Sequence, residues 1–300
     1  MNQNKPAYAC ITPVKDEALY IRHTLESMTK QRLLPMAWII VDDGSSDDSA
    51  EIISEYASAH PWIRLVTIEK GSPRQTGSAE IYAFNYGLTF LKNIRYDFIV
   101  KLDADVSFEE DYFSRLISKF ISNPRMGIAS GIYLERHQGR WQPIRMPGYH
   151  AAGASKVIRS ECFRDIGGFM PTRGWDTVDE IKALYQEWET GHFIDLPFYH
   201  LKAEGSGMGF LHTSVMHGEI FYRTTGGFFF FFLLKVIKRL VTGKPFLIGG
   251  AAMMAGYWKA RLSHMPLLVT REEAAFYRGI LFKRLWGRSA RSPVNVLKAA

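Results

Sequence analysis

Phe98-Ile99-Val100-Lys101-Leu102-Asp103-Ala104-Asp105 decides how this chain is read. A short apolar run reads as a buried strand, and it ends on two carboxylates one residue apart. In an extended backbone, residues i and i+2 point to the same side, so Asp103 and Asp105 face one way. Paired carboxylate oxygens suit hard divalent cations such as Mg²⁺ and Mn²⁺. Taken alone, such a pair also fits a turn or a helix cap, and the neighbouring sequence must decide.

Working toward the N-terminus, the same layout recurs. Ala7–Thr12 is an apolar run that ends at Pro13 and is followed by Lys15-Asp16-Glu17. Ala37–Val41 is a continuous apolar run followed by Asp42-Asp43, and Ile63–Ile68 is a further strand. Helical spacing separates these runs: Ala18, Ile21, Leu25 and Met28 within 17–31, Ile52, Ile53 and Tyr56 after an Asp47 or Asp48 cap, and Ile81, Phe84, Leu88 and Leu91 within 78–92. Glu109–Ser122 reads as another helix. Alternating strands and helices predict an α/β fold with an open, mainly parallel sheet flanked by helices. In such sheets ligands bind beyond the carboxyl ends of the strands. The acidic residues stand just there, behind three of the four apolar runs.

Several motifs in order carry a resemblance. Ile11-Thr12-Pro13-Val14-Lys15-Asp16-Glu17, Val41-Asp42-Asp43-Gly44-Ser45-Ser46-Asp47 and Leu102-Asp103-Ala104-Asp105 resemble the family 2 glycosyltransferases of the GT-A fold. Ala83-Phe84-Asn85-Tyr86-Gly87-Leu88 and Ile166-Gly167-Gly168-Phe169 are similar to two further stretches of that family, and Asp179-Glu180 to its acidic pair at a helix start. The likeness covers about residues 6–200 and is closest to the surface-polysaccharide type. It implies a nucleotide-sugar donor over the first half of the sheet and an acceptor over the second. By position, Pro13 and Glu17 flank the nucleotide, Asp43 contacts the base, often uracil, Asp103 contacts ribose or sugar, and Asp105 ligates Mn²⁺ or Mg²⁺. The acidic pair supplies the general base. It stands here as Asp179-Glu180, reversed from the usual order, and the register favours Glu180 with Asp179 as the alternative. One base and one displacement imply inversion at the sugar carbon.

Other polar residues stay open on the sequence alone. His200 closes the strand expected over Phe193–Tyr199, either as a ligand beside Asp105 or as a plain strand end. His212 and His217 fall in a stretch read as mobile, and Trp175 reads as core or rim. Lys70 and Arg74, in the loop Gly71–Gly77, read as solvated. Two other function classes compete. A nucleotidyltransferase needs a glycine-rich basic loop after the first strand, where this chain has Thr12–Glu17. An inactive nucleotide-sugar-binding scaffold is disfavoured because all the acidic positions are kept. No G-x-G-x-x-G follows the first strand, against a dinucleotide enzyme.

The chain has 300 residues, 47% hydrophobic and 22% charged, ordinary for a globular protein. Only Cys10 and Cys162 are present, and no C-x-x-C pair points to zinc. Met1–Pro6 carries no apolar stretch fit for a signal peptide, so a cytoplasmic location is expected. Residues 201–300 hold 15 Lys and Arg against 4 Asp and Glu, whereas residues 1–200 hold 22 against 26. The reading is thus a catalytic domain over 1–200 and a helical, basic and apolar C-terminal region over 201–300. Within 228–290, the apolar runs at 228–234 and 246–258 alternate with Lys235, Lys238, Arg239, Lys244, Lys259, Arg261, Arg278, Lys283, Arg284 and Arg288. That mixture predicts peripheral binding to the anionic inner face of the plasma membrane, and suits a glycan or lipid-linked acceptor. Neither run reaches the roughly 20 residues of a spanning helix. No nucleic-acid-binding motif is present.

Overall fold

The computed structural model describes residues 6–68, 78–202, 209–242 and 247–285. Lys70, Arg74 and the loop around them, the glycine-rich stretch at 205–208, Lys244 and Arg288 lie outside the described residues. The described chain divides into two compact units, residues 6–202 and residues 209–285.

The first unit begins with β1 (Tyr8–Val14), α1 (Ile21–Thr29), β2 (Ala37–Asp42), α2 (Ser49–Ala59), β3 (Ile63–Thr67), α3 (Ala79–Leu88) and β4 (Phe98–Leu102). It continues with β5 (Val106–Phe108), α4 (Tyr112–Ser122), β6 (Met126–His137), β7 (Arg140–Pro143), β8 (Ser155–Arg159), α5 (Ser160–Asp165), α6 (Trp175–Tyr185) and β9 (Glu189–His200). The strands form one sheet in the order β3-β2-β1-β4-β8-β6-β9-β5, with β7 paired to β6. This is the expected GT-A-type architecture. β1 to β4 are parallel, as read from the sequence. Beyond β4 the sheet mixes directions: β8 runs antiparallel to both β4 and β6, β6 and β9 are parallel, and β5 is antiparallel to β9.

Every residue of β2 and β4 is buried, because helices cover both faces of the sheet. On one face Tyr8, Cys10, Trp38 and Ile40 pack with Leu25, Met28, Ile53, Leu116 and Phe120 of α1, α2 and α4. On the other, Ala9, Ile11, Ile39 and Val41 pack with Ile81, Phe84, Cys162 and Trp175 of α3, α5 and α6. Gly87 marks how close α3 lies to the sheet. A Cβ there would stand 2.7 Å from Ile11 and 3.0 Å from Val41, and Asn85 Nδ2 donates to the Phe169 carbonyl at 3.2 Å.

One helix start differs from expectation, and a second settles between two candidates. α1 begins at Ile21, not Glu17, because residues 17–20 form a turn in which Tyr20 and Ile21 N–H both donate to the Glu17 carbonyl. Asp47, rather than Asp48, serves the start of α2. It accepts the Ser49 N–H at 3.1 Å and, through its other oxygen, the Ala18 N–H at 2.9 Å. The loops after β1 and β2 are thereby tied together.

The second unit holds α7 (Phe210–Thr225), α8 (Phe229–Thr242), α9 (Ile248–Leu262) and α10 (Arg271–Leu285). α7 and α9 meet backbone to backbone: a Cβ on Gly218 would stand 2.0 Å from the Met253 carbonyl oxygen, and one on Gly256 1.9 Å from that of Val215. His212 and His217 therefore sit on a helix rather than in a mobile stretch. Among the described residues no helix is long and apolar enough to cross a membrane.

Candidate functional site

At the carboxyl ends of β1, β2 and β4 the first unit opens a cavity of about 250 Å³, lined by Pro13, Lys15, Glu17, Asp43, Glu80, Asp103, Asp105 and Lys202, among others. Four of its five carboxylates, Glu17, Asp43, Asp103 and Asp105, meet there because three parallel strands end side by side and each is followed by acidic residues, and Glu80 joins them from α3. Local bonds fix the loops. Asp43 N–H donates to the Val14 carbonyl and Asp103 N–H to that of Ala154, both at 2.9 Å. Asp42 is used up in its own turn, accepting from Ser45 N–H at 2.9 Å and Ser45 Oγ at 2.5 Å. Its neighbour Asp43 lines the cavity instead. The Asp103–Val106 turn is held from behind by Thr24 of α1, whose hydroxyl lies 2.8 Å from the Ala104 carbonyl and accepts the Val106 N–H at 3.1 Å.

Asp103, Asp105 and His200 each offer one ligand atom, all within 4.8 Å of one another. His200 arrives because β9 pairs with β5, setting His200 opposite Val106, the residue after Asp105. Two carboxylate oxygens and an imidazole nitrogen form a donor set that fits a divalent cation such as Mn²⁺ or Mg²⁺. The electrostatics agree. Burial, followed by repulsion from Asp103, pushes the Asp105 carboxyl up to about 6, and His200 and Lys202 only partly offset this. A carboxylate in that state is short of positive charge.

Lys101 is fully buried in β4 and makes ion pairs with Asp103 and, at 3.3 Å, with Glu80. Burial alone would lower its pKa, but Asp103 and Glu80 outweigh that and hold the ammonium charged. The same ammonium lies 5.2 Å from the centre of the Trp175 ring, and Lys156 of β8 lies 4.9 Å from it. Trp175 Nε1 donates to Glu80 at 2.7 Å, so the start of α6 is bonded to a residue of the cavity wall.

The structure does not bring Asp179 and Glu180 to the cavity. They are 2% and 1% exposed on the buried face of α6. Lys156 Nζ approaches Asp179 at 2.9 Å, while Glu180 accepts from Ala151 N–H at 2.7 Å and pairs with His150 Nδ1 at 3.0 Å. Burial first, against the pull of Lys156, moves Asp179 up to about 7. These contacts make the pair an internal brace, which corrects the expectation that one of them faces the reacting hydroxyl. The acidic residue left at the accessible first turn of α6 is Asp176, next to Trp175 and half-buried.

Two cavity residues, Lys202 and Glu80, escaped the sequence reading, and Lys15 was read only as part of the polar cluster behind β1. Lys15 Nζ donates to the Asp43 and Gly44 carbonyls at 2.9 and 2.5 Å. Lys202 Nζ lies 2.6 Å from Glu17 Oε1, whereas Glu17 Oε2 is buried with no hydrogen-bond partner among the described residues. Glu80 sits in the first turn of α3, where an acid reads as a favourable helix-dipole residue. The signal for Lys202 was its place two residues beyond His200, at a strand's end.

Comparison with known proteins identifies the family and the fold. The model of glycosyl transferase family 2 matches residues 9–173, more than half the chain, and the chain belongs to that family. A poly-β-1,6-N-acetyl-D-glucosamine synthase of Staphylococcus epidermidis is 30% identical over 116 residues, which cover 39% of this chain and 26% of that protein. The aligned part thus spans about a quarter of that relative. Among solved structures, a mannosyltransferase from Pyrobaculum calidifontis in complex with GDP-Man and Mn²⁺ has a TM-score of 0.54 at 16% identity, covering 95% of this chain and 84% of that one. Staphylococcus aureus TarS 1–349 in complex with UDP-GlcNAc has a TM-score of 0.52 at 16% identity, covering 94% and 84%. At such identities the likeness speaks for the fold.

Proposed function

We propose that the chain transfers a sugar from a nucleotide-diphosphate sugar, with UDP favoured, to a glycan or lipid-linked acceptor in cell-surface polysaccharide or glycolipid synthesis, with inversion and with the help of Mn²⁺ or Mg²⁺. The observation that carries this reading is the single cavity in which Asp43, Asp103 and Asp105 meet at the ends of parallel strands. Pro13 and Glu17 flank the nucleotide, and Asp43 accepts hydrogen bonds from the base. Asp103 accepts from ribose or sugar hydroxyls while Lys101 fixes its orientation. Asp103, Asp105 and His200 would hold the divalent cation, which when bound supplies charge neutralisation for the departing diphosphate. Lys202, beside Asp105, adds a positive side chain for the phosphates.

The acidic residues of α6 supply the base. Asp176 suits the role better than Asp179 or Glu180, whose oxygens are already committed to Lys156, His150 and the Ala151 N–H. Asp176 accepts the proton of the acceptor hydroxyl as that oxygen attacks the anomeric carbon. The new carbon–oxygen bond forms opposite the breaking bond to phosphate, so one displacement inverts the centre.

The second unit suits a membrane surface. Phe230, Leu234 and Ile237 are exposed at helical spacing on α8, and Lys238, Lys283 and Arg284 are exposed in the same unit. An apolar stripe with basic neighbours fits peripheral attachment to an anionic cytoplasmic leaflet.

Release of nucleotide diphosphate from a panel of UDP- and GDP-sugars, with Mn²⁺, Mg²⁺ or EDTA, tests the enzymatic reading. Turnover is expected with at least one donor, and only with metal. D176N is expected to bind that donor normally and to lose about 10²- to 10⁴-fold in kcat. Absence of turnover with every donor and metal overturns the reading, and a fully active D176N moves the base elsewhere.

A further inference from the structure

We infer that Glu135 is a positioning residue of the cation site, holding the His200 ring so that Nδ1–H meets Glu135 and Nε2 is turned toward Asp105. The inference rests on the proposed metal reading of Asp103, Asp105 and His200 and adds a residue from a different strand.

The sheet builds this arrangement. β9 lies between β5 and β6. On one side His200 pairs with Val106, which brings Asp105 next to the ring. On the other, the parallel register sets Leu134 beside Tyr199, which leaves Glu135 beside His200. Each imidazole nitrogen therefore faces a carboxylate from its own neighbouring strand. Nδ1 lies 3.1 Å from Glu135 Oε1, an ordinary hydrogen-bond length. Nε2 lies 3.5 Å from Asp105 Oδ2, longer than the roughly 2.7–3.2 Å of N–H···O bonds. Two ligands of one cation, each bonded at about 2.1 Å, stand about 3 Å or slightly more apart, close to the separation found here.

Glu135 is only 8% exposed. Its other oxygen faces His137 Nε2 at 3.8 Å. The Tyr133 ring stands edge-on to His200, with centroids 6.0 Å apart and planes at 86°, and limits rotation of the imidazole. A carboxylate kept inside a sheet at this position has a definite use. As an acceptor it forces the Nδ1–H tautomer, and its charge makes the opposite nitrogen a stronger donor to a cation.

The test is titration of full-length protein with Mn²⁺ alone, read by water-proton relaxation, for wild type, E135A, E135Q and D105N. Thermal unfolding in EDTA and ¹⁵N spectra of the histidine rings accompany it. Wild type is expected to bind and D105N to lose binding. E135A weakens Mn²⁺ by about 10- to 100-fold. E135Q recovers part of the loss, because its amide oxygen can still accept from Nδ1–H. In the metal-free spectra the His200 Nδ1–H is hydrogen-bonded in wild type and loses that bond in E135A. If Glu135 merely tied β6 to β9, both variants would melt earlier yet bind Mn²⁺ like wild type, and the inference would be overturned while the metal reading stood. If wild type itself bound no Mn²⁺, the metal reading would fail and the inference with it.

Discussion

Asp105→Asn is expected to make the metal-free protein more stable. Asp105 is 7% exposed, and its surroundings raise its pKa from 3.8 to about 6, chiefly through burial and then through Asp103. The fold thus prefers the protonated form. The stability attached to it is full below the unfolded value of 3.8 and is lost as pH rises through about 6. A carboxyl moved that far is destabilising by about 3 kcal/mol once ionised. Asparagine keeps the shape and one acceptor oxygen and removes the charge, so at pH 7.5 in EDTA the variant should gain up to about 3 kcal/mol. For a unit of this size that is a rise in Tm of about 6–12 °C. At pH 4 the wild-type carboxyl is largely protonated and the gap should nearly close. Mn²⁺ at a thousandfold excess over Kd should reverse the order, since wild type gains about 4.1 kcal/mol and the variant does not. Differential scanning calorimetry at the two pH values, with EDTA or Mn²⁺, reads all three outcomes. A variant no more stable than wild type at pH 7.5 in EDTA would refute the claim that Asp105 waits for a positive partner.

The brace beneath α6 and the apolar face of α8 give two further tests. Lys156→Met leaves Asp179 buried without its cation and should cost about 3–5 kcal/mol by urea denaturation. The double variant K156M/D179N should recover more than half, and a loss under 1 kcal/mol in K156M would contradict the ion-pair account. In flotation with phosphatidylglycerol vesicles the full chain should rise with the lipid, and replacing Phe230, Leu234 and Ile237 by serine should leave it at the bottom. Wild type that stays down in low salt would end the membrane reading.

The donor side was legible because its logic is local. An apolar run followed by a carboxylate marks a strand's carboxyl end, and three such ends in parallel must lie together. Gly87 and Asn85 were legible as a motif, and the structure supplies their use: close approach of α3 to β1 and β2, and a bond to the Phe169 carbonyl. The second half was harder. β6 and β8 have no helix between them and pair antiparallel, so the alternation that revealed β1 to β4 was missing. Asp179 was misplaced although a signal existed. Trp175, Val178 and Asp179 follow the i, i+3, i+4 spacing of one buried helical face, and Asp176 lies off it. Lys101, inside an otherwise apolar strand, carried a similar message, because a buried lysine requires carboxylate partners within reach. Glu135 left no local trace, since its partner is 65 residues away and is set only by strand register.

That register has one more consequence. Lys101 and Lys156 are direct cross-strand partners where β8 joins β4, the line at which the sheet changes direction. Like charges placed so repel. They are tolerated because each has its own acid, Asp103 and Glu80 on one side and Asp179 on the other, with the Trp175 ring against both. Those compensating groups come from α3, from the turn after β4 and from α6. The parallel strands β1 to β4 and those that lie beyond β4 are therefore not two modules set edge to edge. The seam between them becomes favourable only when both sides are complete, which makes the parallel half of the sheet and its neighbour one cooperative folding unit.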